Sequence, residues 1–153
     1  MKRHPLLIPL AREHHASLVF AHWCQTTDAA ISGPTQTDAH KRLRDFRAHF
    51  EAHAATEERN LTNWAMAPEL QPAWKRMQAD HRAIRRALED PLGAIELQAL
   101  GELVEAHTRW EDLVFSPALE SSLKASTSAP LKALTPLSAQ DHSDEHPHAA
   151  SSA

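Results

Sequence analysis

The chain has 153 residues, 42% hydrophobic and 24% charged, with a formal net charge of −4. That length suffices for one domain with a buried core, and the acidic balance gives no electrostatic reason to expect nucleic acid or an anionic membrane as a partner. Three glycines, no tyrosine and an abundance of Ala, Leu, Glu and Arg argue for an all-α fold, and twelve histidines are the one abnormality of the composition. Cys24 is the single cysteine, so no intrachain disulfide can form, as suits a reducing cytoplasm. The apolar run Leu6-Leu7-Ile8 is too short for a signal peptide or a membrane span, so a cytoplasmic location is expected.

Helical periodicity predicts four amphipathic helices. The first runs from about Pro9 to Ile31, with Leu7, Leu10, Leu18, Ala21 and Cys24 as its apolar stripe. His14 falls near the middle of that stripe, and His15 and His22 on a flank. Ser32-Gly33-Pro34-Thr35 ends the helix. The second runs from about Asp38 to Met66, striped by Leu43, Phe46, Phe50, Leu61 and Trp64. Glu57 is at the centre of that stripe, His53 within it, His49 at its edge, and Glu58 well away.

The third helix, about Ala73 to Leu88, carries Trp74, Met77, Ile84 and Leu88, with His81 inside the stripe and Asp80 marginal. Asp90-Pro91-Leu92-Gly93 is a turn signal. The fourth, about Ala94 to Ser121, carries Leu100, Leu103, Val104, Val114 and Ala118. His107 is at its centre, Glu111 beside it, Asp112 opposite, and Pro117 is expected to bend it or begin its last turn. The domain expected is therefore residues 1–122. Residues 123–153, rich in Ser, Ala, Pro and Lys, read as a disordered tail, with a helical fragment around 131–139 as an option.

Four helices with short connections suggest an up-down-up-down antiparallel bundle. Each then places one histidine on the axis: His14, His53, His81 and His107. His53-Ala-Ala-Thr-Glu57 and His107-Thr-Arg-Trp-Glu111 share the spacing His-x-x-x-Glu, which puts both groups on one helical face. A carboxylate buried without a partner costs several kcal/mol. The ordinary alternative is a set of core histidines, with Glu57 and Glu111 paired to arginines such as Arg47 or Arg85. Six polar groups centred on four apolar stripes favour metal instead: two ions, each on two histidines, with the two carboxylates bridging. Zinc in a structural site would take four ligands, often with Cys. Six ligands of mixed imidazole and carboxylate suit iron, or with less weight manganese, and leave open positions for a small molecule.

At these residues the chain resembles the hemerythrin-like family, the HHE cation-binding domains, over roughly residues 5–120. Arg12-Glu13-His14-His15 is similar to the family's first-helix element. His53-x-x-x-Glu57-Glu58-x-x-Leu61 resembles the second, Asp80-His81-Arg82-Ala83-Ile84 the third, and His107-x-x-x-Glu111-Asp112-x-x-Phe115-x-Pro117-x-Leu119 the fourth. The resemblance implies a non-haem di-iron centre (Fe2+/Fe3+) on His14, His53, Glu57, His81, His107 and Glu111. It also implies binding of dioxygen or related diatomics, or a role in redox and iron handling. The chain departs from the pattern at Ala54, where Phe is common, and lacks the Phe-Pro that usually follows the second-helix Glu pair. Arg85 stands where respiratory members have a fifth histidine, which counts against reversible oxygen carriage, and His49 could substitute.

His15 and His49 thus stand as two further metal candidates. Cys24 and the four tryptophans read as packing residues, and His142, His146 and His148 as solvated tail. The function expected is binding or sensing of dioxygen, nitric oxide or peroxide. A di-iron enzyme or iron-handling protein is the alternative, since no motif for an electron-donating cofactor is present, and a purely structural bundle ranks last.

Overall fold

The computed structural model describes residues 3–27, 34–89 and 94–125. Those residues form α1 (Leu7–Thr26), α2 (Pro34–Ala65), α3 (Gln71–Glu89), α4 (Ala94–Trp110) and α5 (Ser116–Ala125), with no strand among them. A short 3-10 turn, Pro68–Leu70, leads into α3. A π turn, Glu111–Phe115, joins α4 to α5 with helical backbone at both junctions, so the two form one continuous fourth rod. The α1 stripe expected to reach Ile31 ends at Thr26, where the Thr27 N–H donates to the Trp23 carbonyl. Ile31 and the expected 90–93 turn lie outside the described residues, as do the fragment at 131–139 and the tail histidines.

α1 packs on α2 and α4, and α3 packs on the same two helices. The core is divided in two. One apolar cluster takes Leu7 and Leu10 from α1, Leu61 and Ala65 from α2, Trp74 and Met77 from α3, and Phe115, Leu119 and Leu123 from the fourth rod. The other takes Phe20, Ala21 and Cys24, then Phe46, Phe50 and Ala54, then Ile84 and Leu88, then Leu97, Leu100 and Val104. On every rod the histidine singled out above lies between these two groups. Apolar burial above and below supplies the bulk of the stabilisation, and it holds the polar layer dry.

α1 and α4 approach closely at Gly101, where a Cβ would lie 2.7 Å from the Ala21 carbonyl oxygen and 2.7 Å from the Cys24 Cβ. Glycine is needed there for want of space, not for its backbone freedom. Stacked Phe20 and Phe46, with ring centroids 3.7 Å apart, tie α1 to α2.

The fourth rod departs from its expected phase. Val114, placed on the stripe by periodicity, is 52% exposed, and its neighbour Phe115 is 2% exposed. The cause is the π turn, in which the Ser116 N–H donates to the Glu111 carbonyl five residues back. Pro117 has no N–H to give the Leu113 carbonyl, and its ring crowds that same carbonyl. Widening the turn ahead of it relieves the crowding and inserts one residue into the helical phase. Phe115, Leu119 and Leu123 then share one face. Leu123 is buried and α5 runs to Ala125, three residues beyond the expected boundary at Ser122.

Candidate metal centre

His14, His53, Glu57, His81, His107 and Glu111 are each 4% exposed or less, and they meet in the layer between the two apolar clusters. Their ligand atoms fall into two groups, His14, His53, Glu57 and Glu111, and Glu57, His81, His107 and Glu111. Within each group these atoms all lie within 4.8 Å of one another. Both carboxylates belong to both groups. The cluster thus offers two positions that could each hold an ion, each with two imidazoles of its own and both sharing Glu57 and Glu111.

The short contacts run from imidazole Nε2 to carboxylate. His14 lies 3.0 Å and His107 3.1 Å from opposite oxygens of Glu111. His53 lies 3.3 Å and His81 3.2 Å from opposite oxygens of Glu57. Yet the Nε2 atoms of His14, His81 and His107, both oxygens of Glu111 and Oε2 of Glu57 have no partner in hydrogen-bond geometry and no solvent. Distance alone would pair them; direction does not. They crowd together in each group without bonding one another, which is how ligand atoms around a cation are disposed, and unpaired buried polar atoms are otherwise rare. Four imidazoles and two carboxylates so grouped fit two divalent or trivalent first-row ions.

The electrostatics agree. Burial pulls the His53 imidazole down, but Glu111 and Glu57 outweigh it and hold it up at about 11. His107 is likewise lowered by burial and raised more by Asp80, Glu111 and Glu57, to about 9. His14 ends above its ordinary value for the same reason, through Glu111 and Asp112. Burial raises the Glu111 carboxyl, and the imidazoles of His107, His14 and His53 more than reverse that, leaving it well below the usual carboxylate range. This pocket demands positive charge, whether as protons or as metal.

A second ring of carboxylates orients the imidazoles. The Nδ1 of His14 bonds Asp112 at 3.0 Å, that of His53 bonds Glu13 at 2.5 Å, that of His81 bonds Glu58 at 2.9 Å, and that of His107 bonds Asp80 at 3.2 Å. Each imidazole donates Nδ1–H outward and keeps Nε2 free for the centre. The pattern repeats by a pseudo-twofold exchange of α1 with α3 and of α2 with the fourth rod. The residue before the histidine on α1 and α3 serves the next rod, and so does the residue after the glutamate on the other two, Glu58 reaching α3 and Asp112 returning to α1. Arginines brace three of the four: Arg3 reaches Asp112 at 3.3 Å, Arg85 reaches Glu58 at 3.1 Å, and Arg76 lies 3.7 Å from Asp80.

Sequence reasoning placed Glu58 and Asp112 as outward-facing and Asp80 as marginal. They do lie off the stripes, but each crosses to a histidine on another helix. The signal was the recurring acid beside each ligand, Glu13-His14, Glu57-Glu58, Asp80-His81 and Glu111-Asp112. The arginine alternative for the inner carboxylates is not what forms, because Arg85 engages Glu51 and Glu58. His15 is exposed, and neither it nor the half-buried His49 joins the two ligand groups. Cys24 is buried and its thiol is pushed up to about 12 by burial, so it is a packing residue.

No family model, no curated protein and no solved structure matches this chain. Among the described residues no helix is long and apolar enough to cross a membrane.

Proposed function

We propose that this is a hemerythrin-like protein, an up-down-up-down antiparallel bundle that holds two iron ions and binds or senses dioxygen, nitric oxide or peroxide at an open metal position. The carrying observation is the pair of two-histidine sets that share two buried carboxylates. Contacts along neighbouring rods support the bundle topology, because they run in opposite order: Glu13 meets His53 while Phe20 meets Phe46, and Cys24 meets Gly101 while His14 meets Glu111.

Each position would take two imidazoles and the shared carboxylates, fewer donors than a six-coordinate ion accepts, so an exogenous molecule has room to bind. Bound iron would supply redox chemistry and affinity for small diatomics. The chain's part is to hold Nε2 atoms free, keep their Nδ1 protons on carboxylates, and exclude bulk water with the apolar clusters above and below. Imidazole with carboxylate favours iron over a closed zinc site.

Protein purified without chelator after iron-replete growth should hold about two iron ions per chain, one for each ligand group. It should also show an optical band that changes on exposure to oxygen. One zinc and no iron would sink the reading. Sustained turnover of peroxide or nitric oxide with an added reductant would move it from binding to catalysis.

A further inference from the structure

A groove of about 430 Å3 lies between α1 and α2, walled mainly by Ala16, Val19 and Phe20 on one helix and Phe46 and His49 on the other. His49, half-buried, is one of the residues that line it. Its ring is nearly parallel to that of the ligand His53, with centroids 6.5 Å apart and planes 14° from each other. Its Nε2 is shielded from solvent and has no hydrogen-bond partner. A buried imidazole nitrogen without a partner is costly unless something intermittently bonds it. The sequence offered His49 as a ligand, and the structure keeps it one helical turn short of the metal groups.

The same corner of the bundle is the least braced. Glu13, behind His53, has a side chain 43% exposed and no arginine or lysine ion-pair partner among the described residues. The other three outer carboxylates each have an arginine. His53 therefore has the groove-lining His49 beside it and, behind it, a carboxylate that no arginine or lysine braces among the described residues.

Resting on the di-iron reading, we propose that the α1–α2 groove is the entry port for the exogenous molecule, which passes His49 and reaches the metal position of His14 and His53. His49 Nε2 hydrogen-bonds the molecule on arrival. The groove wall carries Arg42 and Asp45, of opposite sign, and His15 besides His49; the rest, Ala16, Val19, Phe20 and Phe46, is aliphatic and aromatic. That lining suits a small, weakly hydrated molecule, neutral or singly charged, and disfavours a heavily hydrated ion.

The test uses iron-loaded, oxidised full-length protein and azide, followed by stopped-flow absorbance, with iron per chain measured on every sample. Ala16→Trp and Val19→Trp fill the groove from exposed positions, so the fold should survive. Each should slow azide association and dissociation together, by about tenfold, since a plugged port changes passage without changing the bound state. Met66→Trp, on an exposed position away from the groove, should leave both rates alone. His49→Phe keeps the aromatic wall and removes the nitrogen; it should slow azide association and dissociation together by about tenfold, the scale of one hydrogen bond lost in passage, at unchanged affinity and iron content. Unchanged rates in both tryptophan variants at full iron content overturn the port while the metal reading stands. Wild-type protein that takes up no iron overturns both.

Discussion

On the α3 side of the centre, His81 and His107 each lean on a carboxylate that an arginine holds in turn, Glu58 by Arg85 and Asp80 by Arg76. On the α1 side only His14 has such a chain, through Asp112 and Arg3, and the Glu13 behind His53 stands alone among the described residues. The inner ligands obey the pseudo-twofold; the third layer breaks it. Equivalent inner donors offer two positions that could hold metal, and unequal bracing makes them differ in how firmly each imidazole is aimed.

The comparison breaks first at the group both positions share. Glu111→Ala removes a carboxylate that lies against His14, His107, His53 and His81 at 3.0, 3.1, 3.9 and 4.0 Å. It should empty both positions and destabilise the fold by about 3–5 kcal/mol, the cost of orphaning buried charge. Metal analysis and thermal denaturation check it; one ion retained at normal affinity would show that Glu111 does not bridge.

Removing one imidazole should affect one position only. His14→Ala and His81→Ala should each leave about one ion per chain, at opposite positions, and distinct residual spectra would tell the two apart. His15→Ala should leave both ions in place. Loss of metal in His15→Ala and not in His14→Ala would mean that α1 is rotated by a residue.

The bracing itself is sharpened by isosteric changes. Glu58→Gln and Asp80→Asn should weaken metal binding by about 10–100-fold. Glu13→Gln should fall at the low end of that range, because its carboxylate is the most exposed and unbraced. Competition with a chelator gives the three affinities, and an equal loss in all three would remove the distinction between the two sides.

Smallest is the dependence on pH. With metal stripped by a chelator, His53 and His107 sit at about 11 and about 9 against an ordinary 6.5. Their folded values are raised, so the stability they lend is complete below the unfolded value and is lost as pH climbs through about 9 to about 11. The stripped protein should therefore melt at lower temperature as the medium becomes alkaline. Metal uptake must displace those protons, so binding at neutral pH should release protons, and affinity should rise over the same range. Calorimetry in buffers of different ionisation enthalpy reads the proton count; no release would mean the imidazoles are neutral before metal arrives.

The inner site was legible because burial is a property of one helix at a time. His14, His53, Glu57, His81, His107 and Glu111 each sit amid apolar residues of their own stripe, and the wheel finds them. The outer carboxylates escaped because their partners lie on other helices. A wheel shows Asp112 off its stripe and says nothing of the His14 ring it meets. The phase after Glu111 escaped for a different reason. Regular periodicity assumes an unbroken i to i+4 ladder, and the π turn before Pro117 adds a residue, so Val114 trades places with Phe115. Leu18, given to the first stripe, is only half-buried, and Phe20, unassigned, is 6% exposed because it stacks on Phe46. Inter-helix aromatic packing of that kind leaves no periodic trace.

Gly101 carries a consequence for chemistry some turns away from it. The closest atoms that a Cβ would meet there are a carbonyl oxygen and a Cβ, neither of which can swing aside as the end of a long side chain could. The spacing of α1 from α4 is therefore gauged by a missing methyl group. His14 hangs from one of those helices, and Glu111 begins the turn that continues the other. The bite between an imidazole and a carboxylate, and with it the size of cation the pair could grip, is set by a ruler that contains no candidate ligand at all.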